Sequence, residues 1–169
     1  MPRAAEAALA TEQYVVKIIH NVSGLSILLS QYMRRPMTQT IEQQNKALVL
    51  KAFNTLFNEK DYAAAEKFWS PDYVQHSAHI PPGRDGLFGL VKASPAAMRY
   101  ENSLIMADGD MLMLRGRFTN KGGPAAWIAA DVVRVQDGRL AEHWDVIEDE
   151  VTREASVSGL PMFGDHFPA

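Results

Sequence analysis

Asp131 is the residue whose setting suggests chemistry, in the segment AAWIAADVVRVQDGRLAEHWDVIEDE at residues 125–150. Alternation along a strand places it on the same face as Trp127, Val133 and Val135. A carboxylate on an otherwise apolar face is expensive to bury, so it should be hydrogen-bonded or have a shifted pKa. A carboxylate whose pKa is raised toward neutrality can remove a proton from carbon next to a carbonyl group. Asp131 is therefore a candidate general base.

Two histidines are candidates to assist this aspartate. His76 stands just before the loop HIPPGRDG, where it can act as an acid or orient a substrate; alternatively it is a core histidine bonded to backbone. His143 shares a predicted strand face with Asp145, which would hold its imidazole in one tautomer, either as an acid–base pair or as a structural clamp. No H-x-H or H-E-x-x-H spacing is present, so no metal site is expected.

Aromatic residues supply candidate walls for a substrate pocket. Trp127 shares the face of Asp131, and Tyr73 can either donate a hydrogen bond to a substrate oxygen or simply pack. Trp144 and Asp145 follow His143 directly and are further candidate substrate contacts, although Trp144 also suits a core position.

A hairpin must position these side chains. Asp137-Gly138 between two apolar runs predicts a two-residue turn, because both residues tolerate the positive φ that such a turn requires. Strict alternation in the second strand puts Leu140, Glu142 and Trp144 on one face, opposite Ala141, His143 and Asp145.

The rest of the chain predicts helices followed by an antiparallel meander, which is an α+β arrangement with a pocket at the open end of a curved sheet. Thr40 and Gln43 form a candidate capping box, and Asp61 is a candidate N-cap. The predicted helices cover residues 41–58, 62–69 and 84–92, and the other predicted strands cover residues 72–77, 96–107 and 111–119.

Composition narrows the class of protein. The 169 residues suit one domain, and the net charge of −3 argues against a nucleic-acid binder. Cysteine is absent, which excludes disulfides and thiol nucleophiles. The sequence contains no long uninterrupted apolar run, so no membrane span is predicted. The simplest expected location is the cytoplasm.

The first 36 residues differ from the rest and end at Pro36. They are predicted to be an N-terminal extension, either a helical arm that packs on a partner or a tail without a role in function. The main domain is then expected over residues 37–169.

Four segments occur in a recognisable order: YVQH at residues 73–76, PGR at 82–84, ADGD at 107–110 and DVVRVQDGRLAEHWD at 131–145. In this order they resemble the SnoaL-like branch of the NTF2-like superfamily, which includes polyketide cyclases and a group predicted to catalyse aldol-type condensations. The similarity spans roughly residues 41–163, and EHWD is its most specific part.

The resemblance implies an NTF2-like α+β cone, with three N-terminal helices packed on a curved antiparallel sheet around an apolar pocket. It also implies a homodimer formed through the outer sheet face, and acid–base catalysis by a pocket aspartate without metal or cofactor. Carried over, that role falls on Asp131. Many relatives carry histidines on the preceding strand, where this chain has Arg115 and Arg117. An arginine stays protonated, so Arg117 would stabilise an enolate rather than shuttle protons, or would pair structurally with Asp131.

Residues and resemblance together predict a cofactor-free cyclase, aldol-type lyase or isomerase that acts on a small carbonyl compound. The alternatives are a non-catalytic module that binds a small ligand, or a dimerisation scaffold. The predicted catalytic residues are Asp131, His76 and Arg117, and the predicted substrate contacts are Trp127, Tyr73, His143, Trp144 and Asp145.

Overall fold

The computed structural model describes residues 39–167, so the predicted N-terminal extension lies outside the described residues. Within this range the α-helices are α1 (Ile41–Phe53), α2 (Tyr62–Ala65) and α3 (Gly83–Ala93). The strands are β1 (Trp69–Gln75), β2 (Arg99–Asp108), β3 (Met111–Thr119), β4 (Trp127–Gln136) and β5 (Arg139–Asp149). None of the described helices has the length and apolarity needed to cross a bilayer.

The predicted helix starts are confirmed by their caps. The backbone N–H of Gln43 donates to the Thr40 hydroxyl at 3.3 Å, and the Gln43 side chain accepts from the Thr40 N–H at 3.0 Å. Asp61 caps α2 by accepting from the Ala64 N–H at 3.0 Å. Helix α1 continues as a π-helical segment, Asn54–Glu59, which ends where Lys60 adopts a φ of 56°.

The sheet order is β1-β5-β4-β3-β2, and the last four strands form the expected antiparallel meander. At the β4–β5 turn the φ angles of Asp137 and Gly138 are 51° and 69°, which confirms the predicted hairpin. Strand β1 pairs with β5 in parallel, so the sheet is mixed rather than wholly antiparallel.

The second helix is shorter than predicted and the first strand starts earlier. Helix α2 ends at Ala65 instead of continuing to Trp69, and Trp69 already pairs with Leu140 of β5. The pairing is irregular between Trp69 and Val74, where Pro71 cannot donate to the ladder. An edge strand with such an irregularity tolerates a proline.

One face of the sheet packs against the helices and forms the core. On β4 this inner face carries Ala129, Asp131, Val133 and Val135, all buried as the alternation predicts. We call the opposite face, which carries Ala130, Val132 and Arg134 on β4, the outer face.

Strand β5 departs from strict alternation. Val135 pairs with Leu140 whereas Arg134 pairs with Glu142, so Ala141 is an extra residue in a β-bulge. As a result Leu140 and His143 both point to the inner face, with 1% and 5% of their surface exposed. The prediction that they lie on opposite faces is wrong, because one inserted residue shifts the period-two pattern.

Candidate active site

A cavity lies between the helices and the inner face of the sheet. Its volume is about 80 Å³, measured as the space open to the centre of a water molecule, which is room for several waters or part of a small organic molecule. Helix α3 contributes Leu87 and Val91, and the loop before it contributes His79 and Ile80. Six aromatic residues also line it: Phe53, Phe57, Trp69, Tyr73, Phe118 and Trp127.

Asp131 lines this cavity and is 3% exposed. Its Oδ1 lies 3.0 Å from Nε2 of His143, and its Oδ2 has no hydrogen-bond partner among the described protein groups. Burial raises the pKa of the Asp131 carboxyl above its ordinary value, and the hydrogen bond with His143 partly opposes the rise. One carboxylate oxygen is thus fixed while the other is free to face a ligand.

Gln75 determines the tautomer of His143. Its Oε1 accepts from the backbone N–H of Ser77 at 3.0 Å, which identifies that atom as the oxygen, and it lies 2.8 Å from Nδ1 of His143. Nδ1 must therefore carry a proton and donate it to Gln75. The favourable contact between Nε2 and Asp131 then requires one further proton, on either partner, so the Asp131–His143 pair holds a single shared proton.

Tyr73 and Asp145 also line the cavity. Burial raises the pKa of the Tyr73 hydroxyl well above its ordinary value, so it stays protonated and can only serve as a hydrogen-bond donor or acceptor. Nε2 of Gln75 lies 3.5 Å from the Tyr73 oxygen, which leaves the Tyr73 O–H proton available to a ligand. Asp145 lies directly opposite Asp131 in the β4–β5 ladder, and its buried Oδ2 also has no described hydrogen-bond partner.

A cluster of potential metal ligands coincides with this site. Within residues 39–167, ligand atoms of Asp131, His143 and Asp145 lie within 4.8 Å of one another. Two carboxylates and an imidazole are a donor set that a divalent cation can use, and Gln75 would orient the imidazole from behind. The arrangement equally suits a shared proton, and the expectation of a site without metal stays a prediction.

His76 does not reach the cavity. Its imidazole stacks on Trp144 with ring centroids 4.8 Å apart, and its Nε2 lies 2.8 Å from Oε1 of Glu142, an interaction that lowers the pKa of Glu142. On β1, Tyr73 and Gln75 face the cavity side of the sheet and His76 faces the opposite side. The predictions of a catalytic His76 and of a substrate-binding Trp144 are wrong, because both side chains lie on the outer face.

Arg117 lies on the outer face as well. One of its guanidinium nitrogens lies 2.6 Å from Oε2 of Glu150, a buried carboxylate, and its guanidinium packs on the Phe163 ring 5.9 Å from the centroid. The guanidinium of Arg115 lies 5.4 Å from the centroid of the same ring. The expected enolate-stabilising role of Arg117 is therefore wrong, and neither arginine forms the structural ion pair with Asp131.

The residue that the sequence did not single out is Gln75. Its position two residues after Tyr73 on the same strand face is the available signal, because period-two alternation sends both side chains inward. Its role emerges only when the parallel pairing of β1 with β5 brings Gln75 opposite His143. That pairing joins residues far apart in the chain, so local spacing cannot show it.

Comparison with known proteins agrees with this architecture. The sequence model of the SnoaL-like domain matches residues 50–143, which is more than half of the chain. No curated protein matches the chain significantly.

Solved structures share the fold. AclR from Streptomyces galilaeus, a candidate hydroxylase, is 30% identical and covers 62% of this chain and 79% of its own, with a TM-score of 0.52. A candidate ketosteroid isomerase from Kribbella flavida is 21% identical, covers 78% of this chain and 100% of its own, and has a TM-score of 0.61. IdmH from Streptomyces antibioticus, a candidate polyketide cyclase, is 24% identical, covers 62% and 92%, and has a TM-score of 0.51.

These structures show an NTF2-like α+β cone. The match of the family model to residues 50–143, from α1 into β5, shows that the chain belongs to the SnoaL-like family.

Proposed function

We propose that the protein is an acid–base enzyme that removes a proton from carbon next to a carbonyl group in a small substrate. The observation that carries this proposal is the environment of Asp131. Its Oδ1 is held by His143, while its Oδ2 is buried, lacks a described partner and belongs to a side chain that lines an apolar cavity. A base must have a free oxygen and a raised pKa, and Asp131 has both.

His143 supports the base in this scheme. In the ionised form of the pair, the Nε2–H of His143 donates to Oδ1 of Asp131, and Oδ2 accepts the substrate proton. Gln75 keeps the imidazole in the required orientation through its contact with Nδ1, at 2.8 Å. The roles of His143 and Gln75 are to position and charge-balance the base rather than to touch the reacting carbon.

Tyr73 is the candidate group for the developing oxyanion. When the C–H bond breaks, the electron pair moves onto the carbonyl oxygen, and a buried hydroxyl that stays protonated can donate to it. Asp131 and Tyr73 line the same cavity from different strands. The enolate can then take up a proton at a different carbon, which is isomerisation. Alternatively, its nucleophilic carbon can attack a second carbonyl group, which is cyclisation or aldol addition.

The names of the similar structures fit this reaction class. A ketosteroid isomerase and a polyketide cyclase both work through an enolate next to a carbonyl group, and the candidate members with those names share the fold. The fold alone does not decide between turnover and simple ligand binding. The free Asp131 oxygen is the feature that favours turnover.

Hydrogen–deuterium exchange at carbon tests the proposal. A panel of small cyclic ketones, β,γ-unsaturated ketones and β-ketoesters would be incubated with the protein in D₂O, and loss of the α-proton signal followed by NMR. We expect the wild-type protein to accelerate exchange on at least one member, and Asp131→Asn to lower that rate by roughly 10²–10⁴-fold. Asp137→Asn, the same change at the exposed tip of the β4–β5 hairpin, is the matched control.

Two results would contradict the proposal. The first is equal exchange by the wild-type protein and Asp131→Asn. The second is an absence of accelerated exchange on every panel member that binds, which would favour the non-catalytic ligand-binding alternative.

We also propose that two copies pair through the outer face. Four large apolar side chains are exposed there at 45–74% of their surface: Leu104, Met106, Met113 and Val146. The ladder pairs Met106 with Met113 and places Leu104 and Val146 in the row that contains Arg115, so they form one patch across the sheet. Sedimentation equilibrium of the wild-type protein and of Val146→Asp would show a dimer that the substitution weakens; a wild-type monomer would contradict the proposal.

A further inference from the structure

Asp145 is a carboxylate that the proposed reaction does not use. Its side chain lines the cavity, and its Oδ2 is buried without a hydrogen-bond partner among the described residues. Its neighbour across the ladder is Asp131, another acid. Like charges directly opposite each other destabilise a sheet, so this position calls for a compensating positive group.

The cavity supplies little positive charge of its own. No lysine or arginine is among its lining residues, and its only other basic side chains are His79, exposed at the rim, and His143. The proton that His143 shares is already held against Asp131. Tyr73 stays neutral because burial raises its pKa. The Asp145 carboxyl therefore has no positive partner among the residues that line this mainly apolar cavity.

The wall of the cavity suits a cation. Six aromatic rings line it, and the face of an aromatic ring attracts an ammonium group within about 6 Å of its centroid. Trp127 already shows this preference: Nζ of Lys121 lies 4.4 Å from its ring centroid. Lys121 itself is not among the lining residues and pairs with Asp149 at 3.3 Å, so it does not neutralise Asp145.

We propose that the substrate is a small carbonyl compound that carries a protonated amine, and that Asp145 is the residue that binds the ammonium group. This inference rests on the proposed function for the carbonyl and adds the second functional group. Oδ2 of Asp145 is already buried, so forming the ion pair requires little further desolvation of this oxygen. Carboxylate and phosphate compounds are expected to bind poorly, because they would place a negative charge beside Asp145 where no lysine or arginine lines the cavity.

Three molecules of similar size test the charge preference without any reaction: cyclohexylamine, which is an ammonium ion at neutral pH, cyclohexanol and cyclohexanecarboxylate. Calorimetric titration of the wild-type protein should show that cyclohexylamine binds roughly ten- to a hundredfold more tightly than cyclohexanol. Cyclohexanecarboxylate should bind more weakly than either.

The variant Asp145→Asn tests whether Asp145 causes the preference for cyclohexylamine over cyclohexanol. This variant should reduce the affinity for cyclohexylamine to about that for cyclohexanol and leave the affinity for cyclohexanol unchanged. Asp137→Asn should behave as the wild-type protein. Because the three-ligand series on the wild-type protein needs no variant, the inference can be tested even if Asp145→Asn does not fold.

Cyclohexanecarboxylate binding as tightly as cyclohexylamine would overturn the inference, and so would an unchanged preference in folded Asp145→Asn. These outcomes are independent of deuterium exchange. Selective amine binding without exchange on any ketone leaves the ammonium site at Asp145 standing and removes the proposed reaction. Exchange without a preference for the amine does the reverse.

Discussion

Gln75→Leu is the substitution that most directly tests how the site is held together. Leucine keeps a similar volume on the inner face of β1 but removes the oxygen that accepts from Nδ1 of His143 at 2.8 Å. His143 is 5% exposed, so its N–H would be left buried without a partner. Such a loss costs about 1–3 kcal/mol of folding free energy.

The second contact of Gln75 matters less. The backbone N–H of Ser77, which donates to the same oxygen at 3.0 Å, belongs to a half-buried residue and can turn to water. The expected total therefore stays near 1–3 kcal/mol, which corresponds to a fall in melting temperature of roughly 2–12 °C for a domain of this size. Urea unfolding monitored by tryptophan fluorescence gives the free energy, and thermal unfolding gives the melting temperature.

Two further variants make the measurement specific. Gln75→Glu retains an acceptor for Nδ1 and should remain closer to the wild-type protein than Gln75→Leu does. Gln136→Leu makes the same change at an exposed position on β4 and should alter stability by no more than about 0.5 kcal/mol. If Gln75→Leu is as stable as Gln136→Leu, the His143 tautomer is not fixed by Gln75 and the argument for a shared proton fails.

Two other predictions concern charge. Because burial raises the pKa of Asp131 above its ordinary value of 3.8, the folded protein retains a proton that the unfolded chain releases, and stability is lost as pH rises through that range. Asp131→Asn removes this loss, so its stability relative to the wild-type protein in urea unfolding should increase from about pH 4 upward; a constant or shrinking difference would contradict the raised pKa. Arg117→Met leaves the buried Glu150 carboxylate unpaired and should destabilise by about 3–5 kcal/mol, with deuterium exchange per folded molecule unchanged. Arg139→Met, at the exposed hairpin tip, is the control for this substitution. Loss of deuterium exchange in folded Arg117→Met would show that Arg117 takes part in catalysis.

Local patterns predicted the elements that local interactions determine. The Asp137-Gly138 turn, the Thr40 cap and the inward face of Asp131 follow from backbone conformation and short-range alternation, and all three are present. The burial that makes Asp131 a candidate base could be expected because every neighbour on its β4 face is apolar.

Features that depend on pairing between distant segments could not be predicted in the same way. Whether the cavity lies on the face of His76 or on that of Gln75 depends on how β1 pairs with β5. These strands are parallel and are not joined by a tight turn, so no turn residues in the sequence predict the pairing. Arg117 was assigned by analogy with histidines in relatives, yet alternation along β3 sends it away from Asp131, toward Glu150. The bulge at Ala141 has no glycine or proline to mark it, so His143 was correctly paired with Asp145 but wrongly separated from Leu140.

Because of that bulge, the chemistry of the cavity depends on the pairing register of β5 as well as on which residues β5 contains. If Ala141 were paired in the ladder, β5 would have no bulge and would alternate strictly. With Leu140 still facing inward, Glu142 and Trp144 would then face the cavity, and His143 and Asp145 would face the outer side. A shift of the β4–β5 pairing by one residue would therefore remove this acid–base centre from the cavity without altering any reactive side chain. Aligned identity would barely register such an event, so two relatives with the same EHWD motif need not share an activity.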